Sequence, residues 1–281
     1  MGSRAASGLV LSLILVVGCT PGHTWTNRRG DLVHEFFLQA GGRRVEVMAV
    51  WPKEGAPHPA LVLVHGREGR AQRFRRPMFK LARRGFAALA LSLPGFGDTP
   101  GPDDYAGPAQ VEAVLAAIRY LEKDTRVQPG QIALYGISRG ATVALLAARQ
   151  SPSVRALALE AGAYDLARAY ETTVPEEREK MERLIGGSPA SHPERYAIRS
   201  PLADLRRLEA AVLLLHGTKT KTYRAEQSVA LASALRDAGV PVWIKLYDRE
   251  DKEHFPGSKS LTRHVLPFLR VVLGGESHSK R

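Results

Sequence analysis

Apolar residues in this chain come in short runs, two of them interrupted by one basic residue (Arg155, Lys245), separated by stretches with helical spacing. The runs are Ala60-Leu61-Val62-Leu63-Val64, Phe86 to Leu91, Ile132-Ala133-Leu134-Tyr135, Val154 to Leu159, Ala211 to Leu215 and Val242 to Leu246. Runs of this length with no polar alternation predict strands buried on both faces. Between them, residues 111–121 and 226–238 carry apolar positions at helical spacing, the second stopped by Gly239. Residues 79–84 end a further helix whose basic last turn precedes Gly85. Upstream, Glu35 to Gln39 and Arg44 to Val50 flank Gly41-Gly42 and predict an opening hairpin. Strands alternating with helices imply an α/β class, with a mostly parallel central sheet covered on both faces. A small insertion over residues 164–208 precedes the penultimate strand. Its charged run Glu176-Glu177-Arg178-Glu179-Lys180 reads as a solvated helix; the other reading has it overhang the site and shape substrate access.

A chain of 281 residues suits one such domain, expected over residues 32–273 with a polar tail at 274–281. The net charge of +12 comes mainly from arginine. The positive residues form no single helix stripe and no nucleic-acid-binding motif is visible, so no nucleic-acid partner is expected. A basic surface facing anionic headgroups or polyanions is the milder reading.

Residues 1–18 read as a signal peptide, with Arg4 ahead of the apolar stretch Gly8 to Val17. That stretch is too short to span a bilayer comfortably. It ends in Val16-Val17-Gly18-Cys19, which resembles a bacterial lipobox and implies cleavage before Cys19 and lipid attachment to its thiol. Residues 19–31 would then be the lipidated cysteine and a flexible tether. The expected location is exported and anchored to a bacterial membrane, on the periplasmic or cell-surface side. Cys19 is the single cysteine, which excludes an internal disulfide framework and a cysteine-based metal site.

Gly136-Ile137-Ser138-Arg139-Gly140 follows one predicted strand and opens onto the helical stretch Ala141 to Ala148. Strand, cramped turn and helix are the setting of a nucleophile elbow. The turn holds the serine in strained φ/ψ, so the positions two before and two after it must be nearly free of side chain.

With the Leu93-Pro94-Gly95-Phe96-Gly97 loop, Val64-His65-Gly66 and Leu215-His216-Gly217-Thr218, this elbow resembles the α/β-hydrolase fold. More narrowly, the chain resembles the dienelactone hydrolase and prolyl-oligopeptidase-like esterase branch, over about residues 32–272. The resemblance implies Ser138 as nucleophile and His254, in Lys252-Glu253-His254-Phe255, as base. The backbone N–H groups of Arg67 and Arg139 would form the oxyanion hole. His65 and His216 would brace strand-end turns. His23, His34, His58, His192, His264 and His278 lack a motif and read as surface or tail residues.

The pattern breaks at the acid. Thr220 stands where the family places an aspartate, and threonine cannot stabilise an imidazolium. Three accounts stay open: Glu160, with Asp165 behind it, at the end of the preceding strand; Asp248 or Asp251 near the histidine; or a Ser–His dyad or inactive site. Lys219, Lys221, Arg224, Arg139, Arg67 and Arg70 fall at the sheet edge where ligands bind. They suggest either a positive rim favouring an anionic acyl substrate or a generally arginine-rich surface. The function expected is a serine hydrolase acting on a small carboxylic ester or related acyl compound, with peptidase or thioesterase chemistry not separable. No metal or organic cofactor is implied. The alternative is a catalytically impaired hydrolase-fold lipoprotein acting as a binding or scaffold module.

Overall fold

In the computed structural model, residues 19–67, 69–248 and 259–274 are described. The apolar runs form the middle of a nine-stranded sheet: β1 (Cys19–Thr26), β2 (Leu32–Ala40), β3 (Arg43–Trp51), β4 (His58–Val64), β5 (Ala87–Leu91), β6 (Val127–Ile137), β7 (Val154–Glu160), β8 (Ala211–Gly217) and β9 (Val242–Tyr247). The spatial order is β1-β2-β3-β5-β4-β6-β7-β8-β9. The hairpin strands β1, β2 and β3 pair antiparallel, and β3 meets β5 antiparallel. Every neighbour pair from β5 through β9 is parallel.

Strand periodicity explains why the central runs are apolar throughout. Val62, Val64, Leu134, Leu157 and Leu159 enter a core on one face, which also holds side chains of α2 (Pro108–Lys123), α3 (Arg139–Ala148) and α7 (Glu226–Asp237). Leu61, Leu63, Ala133, Tyr135 and Ala158 face the other core, closed by α1 (Arg75–Ala82) and α8 (Leu266–Leu273). Successive side chains serve opposite layers, so neither register can tolerate a polar residue.

Two expectations along the sheet change. The segment after Cys19, expected as a tether, is strand β1, paired with β2 from Cys19↔Leu38 to Thr26↔Leu32 and bulged between Thr20 and His23. Backbone hydrogen bonding to an open sheet edge overrides a turn-like composition. His58, expected at the surface, is buried, because it opens β4 in the middle of the sheet.

The insertion folds as α4 (Leu166–Thr172), α5 (Pro175–Ile185) and α6 (Pro193–Ala197), followed by a single helical turn at Pro201–Ala203. It is not a solvated appendage. Glu177, Met181 and Ile185 of α5, spaced four apart, are buried. Met181 and Ile185 pack with Tyr105, Tyr196 and Tyr223 in a third apolar cluster. Glu176 and Glu179 face solvent, so the charged run is an amphipathic helix with one face inward.

Candidate active site

Strand order reverses between β4 and β6, the crevice where open α/β sheets bind ligands. Ser138 lies there as the single residue between the last residue of β6 and the first of α3. Its φ of 54° and ψ of −125° put a non-glycine residue in a strained region. Two backbone bonds hold it: Ser138 N–H donates to Glu160 O at 2.7 Å, and Ser138 O accepts from Ala141 N–H at 2.9 Å.

The elbow glycines are required by close approach. A Cβ on Gly136 would fall 2.4 Å from Gly140 O, and one on Gly140 would fall 2.4 Å from both Val64 O and His65 O. Gly140→Ala must push α3 off β4, so it is expected to cost about 3 kcal/mol and lower the melting temperature by about 10 °C. Thermal denaturation followed by circular dichroism checks this; an unchanged midpoint would count against the close packing. Gly66 completes the approach from the β4 side, where its Cβ position is 3.0 Å from Ser138 Cβ. Arg67 follows Gly66 in the chain, and Arg139 opens α3 directly after Ser138.

Histidines 65 and 216 brace turns, as expected. Leu93 N–H donates to His65 Nε2 at 2.9 Å, so the proton sits on Nδ1, which donates to Gly66 O at 2.6 Å. Burial pushes the ring down to about 4, against a smaller opposing effect of its bond to Gly66, so it stays neutral near pH 7. His216 is fully buried, with Nε2 donating to Tyr223 O at 2.8 Å and Nδ1 accepting from Ser228 Oγ at 2.7 Å. His254 and Asp251 lie outside the described residues.

The carboxylates separate clearly. Glu160, at the end of β7 beside the elbow, is 3% exposed. Its Oε1 accepts from Ser260 Oγ at 2.9 Å and its Oε2 accepts from Tyr135 OH. Asp165 instead caps α4 by accepting from Arg168 N–H at 3.0 Å. Asp248 is exposed and pairs with Lys219 at 3.2 Å. Thr220 sits in the turn after β8, its N–H donating to Gly217 O at 3.2 Å.

The expected positive rim is largely compensated. Arg67 pairs with buried Glu177 at 3.2 Å, Arg139 with Asp103 at 2.9 Å, Arg70 lies 3.9 Å from Glu46, and Arg224 donates to Thr172 O at 3.0 Å. The Arg67 contact ties the loop after β4 to α5. Glu177 also accepts from Tyr105 OH at 2.5 Å, and Tyr105 OH meets Tyr223 OH at 2.8 Å. Burial and the nearby Glu177 charge hold both phenols above their usual range, so they remain neutral donors. Residues 103, 105, 177 and 180 carried no motif. The only advance signal was the spacing of 177, 181 and 185. Among the described residues, no cluster of His, Cys, Asp and Glu is placed to hold a metal.

Comparison with known proteins agrees with this geometry. A profile of the prolyl oligopeptidase family matches residues 103–275. An uncharacterized peptidase of Bacillus subtilis, YtmA, is 28% identical over 212 residues, covering 72% of this chain and 79% of that protein. A puromycin-hydrolyzing peptidase of Mycobacterium tuberculosis superposes with a TM-score of 0.73 at 26% identity, over 86% of this chain. This chain spans only 39% of that peptidase's length. An acetyl xylan esterase from a Paenibacillus species superposes with a TM-score of 0.71 at 21% identity, over 90% of each chain.

Proposed function

We propose, for a chain that belongs to the prolyl oligopeptidase family, hydrolysis of a small carboxylic ester or related acyl compound through Ser138. The observation that carries this is the strained elbow that presents Ser138 at the strand-order reversal. Ser138 Oγ attacks the carbonyl while His254 takes its proton, and the N–H groups of Arg67 and Arg139 receive the developing oxyanion. His254 then protonates the leaving group, and water releases the acyl-enzyme by the reverse sequence. Glu160 is the acid of this scheme. Support comes from its burial beside the elbow and its bond to Ser260, six residues beyond His254 in the chain. Labelling with a fluorophosphonate tests the reading: the adduct should map to Ser138, and native protein that takes no label would overturn it. Thr220 in the usual acid position is what favours the second reading, a binding module on a hydrolase fold.

Membrane attachment through a lipid on Cys19 belongs to the same proposal. Its support is the lipobox-like sequence and the surface next to β1. Trp25 of β1 packs edge-on against Phe79 of α1 at 6.3 Å, with Arg75 over the indole. Residues 69–97 carry seven arginines and lysines and no acid, a charge pattern attracted to anionic headgroups. Cys19→Ser is expected to move the protein from the membrane to the soluble fraction; a variant that stays membrane-bound would sink the anchor.

A further inference from the structure

Five charged side chains act on one another beside the loop that follows β4: Arg67, Asp103, Arg139, Glu177 and Lys180. Arg67 follows Gly66, which closes on Ser138, and Arg139 follows Ser138 itself; each is paired with one carboxylate, Glu177 and Asp103. Among the described residues the group carries one positive charge in excess. Lys180 stands one turn beyond Glu177 on α5, is half-buried, and has no ion-pair or hydrogen-bond partner among the described residues. Burial, and then the charges of Arg67 and Arg139, hold its ammonium below the usual lysine range against the opposing pull of Glu177 and Asp103.

Arg139 adds a second, independent sign. Its side chain is 4% exposed, and it lies over the rings of Tyr105 at 4.7 Å and Phe96 at 5.6 Å. Asp103 is close, yet Nη1 and Nη2 make no hydrogen bond within geometric limits among the described residues. A buried guanidinium left short of acceptors is costly and calls for an anion nearby. Asp103 cannot turn further toward it, because its Oδ1 already accepts from Tyr105 N–H and Gln110 Nε2, both at 3.0 Å.

We infer that Lys180, backed by the field of Arg139, is the binding point for a carboxylate carried by the substrate, so that the enzyme prefers acyl compounds bearing a second, anionic carboxyl. This rests on the hydrolase reading given above and names its substrate class. It also narrows the rim expected from composition to one half-buried lysine with no ion-pair partner among the described residues. Lys180 is half-buried next to the inward face of α5, which the Arg67–Glu177 pair ties to the loop after β4, and its ammonium is free of the carboxylates that hold Arg67 and flank Arg139.

The experiment compares three esters on the full chain: neutral p-nitrophenyl acetate, p-nitrophenyl hemisuccinate with the charge on the acyl side, and 4-acetoxybenzoate with it on the leaving group. The ratio of kcat/KM for the preferred anionic ester to that for the acetate is expected to fall about tenfold in Lys180→Met, chiefly through KM, as for loss of one ionic contact. Lys180→Arg should restore most of it, and Lys180→Glu should push the ratio below that of Lys180→Met. A ratio in Lys180→Met within twofold of wild type for both anionic esters would overturn the inference. Calorimetry of succinate binding to Ser138→Ala, with and without Lys180→Met, reads the same contact with no chemistry. Tenfold weaker binding in the double variant supports it; equal affinity, or no binding to either, refutes it. Absence of Ser138-dependent turnover of every ester would instead remove the hydrolase reading, while the calorimetric result still decides the carboxylate contact.

Discussion

Replacing Ser138 by alanine is expected to lower kcat for ester hydrolysis by about four to six orders of magnitude, to the residue left by oxyanion binding and positioning alone. The fold should persist. Alanine meets the same positive φ as serine, and neither backbone bond of the elbow, to Glu160 O and from Ala141 N–H, uses the side chain. Melting temperature should therefore stay within about 2 °C of wild type. Ser138→Gly relieves the φ of 54° and should be more stable than either by about 1 kcal/mol, while being equally inactive. Activity and stability thus move in opposite directions at one position, as expected where strain serves presentation of a nucleophile. Turnover by Ser138→Ala within tenfold of wild type would show that the hydroxyl is not the attacking group.

Glu160→Gln carries the second large effect, a fall of about two to four orders of magnitude in kcat with KM little changed. Loss of a carboxylate beside a catalytic imidazole removes stabilisation of its protonated form, so the histidine's pKa falls. The acid limb of the kcat/KM profile should accordingly move to lower pH. A separate structural cost is expected. Tyr135 OH and Ser260 Oγ donate to different oxygens of Glu160. Glutamine offers one acceptor where two are needed, which costs about 1–3 kcal/mol. The pH profile separates the roles: a variant with reduced stability, unchanged kcat and an unmoved acid limb would make Glu160 a brace between β7 and the start of the C-terminal helical segment. The acid would then have to be sought beside His254, or the site would work as a dyad.

Much of the scaffold was legible because its causes are local. Parallel strands buried on both faces favour runs of apolar residues, so the central stretches of β4 to β8 announced themselves, and the elbow glycines followed from a turn with no room for Cβ atoms. β1 was misread because edge pairing is a property of β2's open side and not of residues 19–26. The inward face of α5 was visible only as the spacing of Glu177, Met181 and Ile185, and the charges around them masked it.

The sequence by itself determined the order of the central strands and helices and the place of the elbow at Ser138. These depend on neighbours a few residues away. Tertiary structure decided which charges count. Arg67 meets Glu177 across 110 residues, Arg139 meets Asp103 and Lys219 meets Asp248, so much of the rim of cations in the sequence is tied up in ion pairs, while Lys221 stays exposed. It likewise decided that Glu160 is enclosed beside the elbow while Asp248 lies in solvent. The physical reason is that a charge acts through distance and burial, which only the folded chain sets, whereas steric exclusion around a turn is already written in the residues that form it.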